Sequence, residues 1–69
     1  MSLTIRLNEK ALSVIKQQLK DTLETKQVGD FKSRLSTLYT FEQEARNSIN
    51  LPAPQFKAAV VALARKYNR

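Results

Sequence analysis

The chain has no cysteine and no histidine. Without thiols there is no disulfide framework and no thiolate nucleophile or metal ligand. Without imidazole the commonest general base and zinc ligand are missing too. Tryptophan is absent, and three Phe, two Tyr, one Gly and two Pro complete the scarce residues of this 69-residue chain. So few breakers leave long stretches free to run as regular elements, with turns expected at Gly29 and at Leu51-Pro52-Ala53-Pro54. No apolar run approaches the ~20 residues that span a bilayer, and the N-terminus shows no charged-then-apolar leader. The expectation is a single domain, 1–69, in the cytoplasm, with no membrane partner. So short a chain is marginal alone, and with disulfides and thiolate or imidazole metal sites excluded, self-association is the remaining aid to stability.

Hydrophobic residues make up 42% of the chain, too many for compositional disorder. Twelve Lys and Arg oppose six Asp and Glu, a net charge of +6. That balance favours a polyanion or an acidic protein as partner. The charge is uneven. Residues 1–30 and 31–51 each carry a net +1, whereas residues 52–69 hold Lys57, Arg65, Lys66 and Arg69 with no acid, net +4. Cations are favoured near a helix C-terminus, which accounts for part of this cluster without any ligand.

Ser2 to Asn8 alternates, with Leu3, Ile5 and Leu7 on one side and Ser2, Thr4 and Arg6 on the other. This is the period of a half-buried strand. Asn8 is a suitable N-cap for a first helix, because Leu12, Ile15, Leu19 and Leu23 recur after it at helical spacing. Gly29 falls where a left-handed C-terminal residue belongs, which predicts a helix over about 9–27. Asp30 can cap a second helix over about 31–49, with Phe31, Leu35, Leu38, Ala45 and Ile49 as its apolar stripe, widened by Tyr39 and Phe41. Thr37 to Phe41 is rich in strand formers, and a strand there would give an α+β fold with an in-chain partner for Ser2–Asn8; the helical period, which continues through it unbroken, favours helix. The prolines end that helix, and Phe56, Val60, Leu63, Ala64 and Tyr67 predict a third over about 54–67. The fold class is therefore mainly α: a short strand and three helices. An all-α bundle is the alternative.

A strand that finds no partner in its own chain needs one elsewhere. An alternating strand running into a helix at a capping residue resembles the start of the ribbon-helix-helix family of DNA-binding proteins. The resemblance implies a homodimer whose paired strands enter the major groove. It implies base contacts from Ser2, Thr4 and Arg6, and an approach to phosphate by the helix start at Asp30 to Ser33. Lys57, Arg65, Lys66 and Arg69 would supply phosphate contacts.

Catalysis is not indicated. There is no phosphate-binding glycine loop and no nucleophile elbow, the serines have no imidazole to activate them, and no cofactor motif is present. The residues suggest two functions: a homodimeric DNA-binding transcriptional regulator or accessory factor, or an all-helical protein–protein interaction module, an adaptor or inhibitor that binds no nucleic acid, with an acidic protein as the alternative partner. The aromatics Phe31 and Phe56 fit core faces; Tyr39 and Tyr67 are the ones suited to a surface or interface.

Overall fold

The computed structural model describes residues 2–27 and 29–68, and these form three helices: α1 (Leu3–Lys26), α2 (Phe31–Arg46) and α3 (Ala53–Tyr67). No strand occurs among the described residues. The expected strand at Ser2 to Asn8 is instead the first two turns of α1, which corrects the ribbon-helix-helix resemblance and the strand-paired homodimer that rested on it. Ser2 is the cap: its extended backbone (ψ 152°) starts the helix, and its Oγ accepts from the Ile5 N–H at 3.2 Å. The physical reason is economy of backbone hydrogen bonds. A lone strand leaves a row of N–H and C=O groups unpaired, whereas extending a helix that already exists pairs them within the chain and needs no new nucleus. The alternation misleads because Leu3 and Leu7 fit a four-residue step as well as a two-residue one.

α2 is helical through Thr37–Phe41, as the unbroken period predicts, and ends at Arg46, three residues before the expected boundary. Beyond it the chain tightens: the N–H groups of Ser48 and Ile49 bond to Ala45 O and Arg46 O, each three residues back, at 3.1 Å. Pro52 and Pro54 sit at the start of α3, where a missing N–H costs nothing.

α2 runs antiparallel to α1, as the Lys16–Glu42 and Glu9–Arg46 pairs show. α3 runs in the same sense as α1: Asn8 meets the start of the α3 segment, and Lys26 Nζ donates to Asn68 Oδ1 at 3.1 Å at its end. At ~1.5 Å per residue, α1 alone accounts for the 37 Å long axis. Each helix gives one stripe to the core: Leu12, Ile15, Leu19 and Leu23; Leu38, Phe41 and Ala45; Phe56 and Val60. Tyr67 closes one end, its ring set edge-on to Phe41 (centroids 6.3 Å, planes at 80°) and its hydroxyl donating to the Glu44 carboxylate. That hydrogen bond holds the Tyr67 phenol above its ordinary pKa.

Asn8 is not a cap. It is 1% exposed, and its Nδ2 donates to both Ile49 O and Leu51 O at 2.8 Å. These are the carbonyls left over where α2 has ended and α3 has not begun. One side chain of α1 thus satisfies the connection between the other two helices.

Candidate interaction surface

The residues assigned to DNA by resemblance are spread around the start of α1 instead of lying along one face of a strand. Ser2 Oγ is engaged as the helix cap. Thr4 and Arg6 stand two residues apart on a helix, on nearly opposite sides of it. The start of α2 is occupied as well: Asp30 Oδ1 accepts from the Ser33 N–H at 2.8 Å, and this bond, with that of the Ser33 hydroxyl, holds the Asp30 carboxyl below its ordinary pKa. An anion placed there would meet a carboxylate instead of free N–H groups.

Nor do the cations of α3 converge. Lys57 and Lys66 are about half a turn apart around the helix. Arg65 borders the α1–α3 cleft beside Gln18 and Thr22, while Lys66 Nζ lies 5.7 Å from the Tyr67 ring centroid. Arg69 lies outside the described residues.

The surface that does gather chemistry lies between α1 and α2. Phe31, Leu35 and Tyr39 are 63%, 47% and 57% exposed and recur every fourth residue. They form a second apolar stripe on α2, about a quarter turn from the one in the core. Leu35 and Tyr39 make one wall of a groove of ≈ 490 Å³, with Leu38 among its lining. Ser13, Lys16, Gln17 and Lys20 of α1 make the other wall. Lys32, beside Phe31, adds a cation to the exposed surface of α2.

A relay of charge runs across this face. Lys16 Nζ is 2.6 Å from Glu42 Oε2; Arg46 reaches Glu42 at 3.4 Å and Glu9 at 3.3 Å. The hydrogen bond from Lys16, assisted by Arg46, keeps the Glu42 carboxyl below its ordinary pKa. Glu42 is therefore spoken for, and Lys20 and Lys32 have no ion-pair partner among the described residues. The groove offers apolar contact on its α2 side and, among the described residues, one unpaired cation, Lys20, on its α1 side, with the ion-paired Glu42 also in its lining. Among the described residues no three carboxylates group closely enough to hold a metal ion, and no helix is long and apolar enough to cross a membrane.

Sequence reasoning placed Phe31 and Leu35 in the core. The signal against this was present: the apolar residues of α2 span too wide an arc for one bundle face, so part of them had to stay outside. Phe56 and Phe41, by contrast, are fully buried. The chain matches no family model, and no match to it was found among curated proteins or solved structures.

Proposed function

We propose that the chain is a small helical interaction module that docks an acidic, amphipathic helix of a partner protein against its α1–α2 face. The observation that carries this reading is the exposed Phe31–Leu35–Tyr39 stripe, of which Leu35 and Tyr39 line a groove opposite Lys16 and Lys20. A groove between two helices accepts a third by burying that helix's apolar residues at four- and three-residue spacing. Tyr39 and Phe31 are of the aromatic type that dominates interface energetics when desolvated. Lys20 and Lys32 at the rim would govern the rate and salt dependence of binding more than its final strength.

The uneven net charge favours a second reading, in which Lys57 and Arg65 bind the phosphates of a nucleic acid without reading its sequence. One experiment separates the two. A photo-crosslinking residue is placed at position 35, and at position 62 on the exposed back of α3 as control, in cells that make the protein. A discrete protease-sensitive adduct with an acidic protein from position 35, absent from 62, is the expected result. A nuclease-sensitive adduct from either position moves the reading to nucleic acid, and no adduct from position 35 ends the docking proposal.

A further inference from the structure

α1 carries another face that neither the core nor the docking wall uses, touching the groove only at Gln17. Leu7, Lys10, Val14, Gln17, Asp21 and Glu24 are all exposed and recur at alternating steps of three and four, the seam spacing of a coiled coil. The charges along this seam are sorted, apart from Lys20, which borders its C-terminal half and faces the groove. Arg6 and Lys10 stand in its N-terminal half and Asp21 and Glu24 in its C-terminal half, about 20 Å apart along the axis. Among the described residues none of the four is in an ion pair; the Asp21 carboxylate accepts from the Gln17 amide, at 3.0 Å.

This order is the reverse of what the helix itself prefers. The N-terminal end of a helix attracts acids and the C-terminal end attracts cations, so α1 gains nothing from the arrangement. A second α1 laid antiparallel does gain. With a two-fold axis between Ile15 and Lys16, Lys10 faces Asp21 and Leu7 faces Glu24 with Arg6 beside it, each twice, and Val14, 58% exposed, packs against Gln17 next to the axis. A parallel pair would set like charges together. We infer that two copies of this chain associate antiparallel through the outer face of α1, by self-complementary charge on either side of a Val14–Gln17 centre. One helix face buries less than the ~1,200 Å² of a standard interface, so the dimer is weak, and its exposed ion pairs make it salt-sensitive.

The test uses two double variants of the full chain, Arg6→Glu with Lys10→Glu, and Asp21→Lys with Glu24→Lys. Circular dichroism and urea unfolding establish that each variant keeps the fold before its association is measured. By sedimentation at low salt, the unmodified protein is expected to self-associate between micromolar and millimolar concentration. Each variant alone is expected to be monomeric over that range. An equimolar mixture of the two is expected to form a heterodimer at least about tenfold tighter than either variant's self-association, because the charges again oppose. Leu35→Asp is expected to leave the self-association unchanged, which separates this face from the docking groove. A monomeric unmodified protein at millimolar concentration, a variant that dimerises alone as the unmodified chain does, or a mixture that stays monomeric each overturns the inference.

Discussion

Single residues here do work that their type does not announce. Asn8 looks like a cap and is a clamp, holding Ile49 O and Leu51 O from the second turn of α1. Removing its amide strands two carbonyls in a part-buried site, and Asn8→Ala is expected to cost about 2 kcal/mol, read from urea unfolding. Gln27 sits at the α1 C-cap with φ 54°, a left-handed backbone that glycine adopts without penalty. Gln27→Gly is expected to raise stability by up to about 1 kcal/mol, seen as a higher Tm. Gly29 also has positive φ (65°), and a Cβ there would stand 3.1 Å from that of Ser33, so Gly29→Ala is expected to lower the Tm. The glycine was legible as a turn residue; the glutamine was not, because nothing in its side chain marks a left-handed backbone.

At the scale of the helices, what the sequence discloses is the core stripe. Leu12, Ile15, Leu19 and Leu23 are buried as their spacing predicts, and so are Leu38, Ala45, Phe56 and Val60. What it conceals is the choice between periods when few residues are involved. Leu3 and Leu7 satisfy both strand and helix, and only the bond from Ser2 Oγ and the continuity of α1 decide the matter. It also conceals which apolar residues of α2 are surplus to the core. Phe41 and Leu35 make the difference measurable. Phe41→Ala empties a fully buried site and is expected to cost roughly 3–5 kcal/mol. Leu35→Asp alters an exposed position and is expected to change stability by less than about 0.5 kcal/mol, by the same unfolding measurement. Equal losses would mean that the α2 stripe belongs to the core after all.

For the whole molecule, acid and alkali loosen different seams. Glu42 joins α1 to α2, and its folded pKa is lowered by Lys16 and Arg46. A lowered carboxylate contributes its stability in full above the ordinary value of 4.5 and loses it as the pH falls through the folded value. Asp30, lowered by its Ser33 bonds, acts in the same direction. Tyr67 acts in the opposite one: its folded pKa is raised, so its bond to Glu44 contributes below the ordinary phenol range and is lost as the pH rises through the raised value. Urea midpoints measured stepwise from neutral into acid are expected to fall less steeply in Glu42→Gln than in the unmodified protein, and Tyr67→Phe is expected to flatten the alkaline limb instead.

The Asn8 clamp also bears on the order of folding. Its two bonds join residues 41 and 43 positions apart in the chain. Closing so long a loop is entropically expensive, whereas the α1–α2 turn at Gly29 closes locally. The helical hairpin is therefore expected to assemble first, with the clamp closing on a chain that has already collapsed. A side chain that joins after the rate-limiting step cannot speed arrival at the native state; it only delays departure. In chevron kinetics Asn8→Ala is thus expected to raise the unfolding rate and leave the folding rate nearly untouched, which makes this asparagine a brake on unfolding.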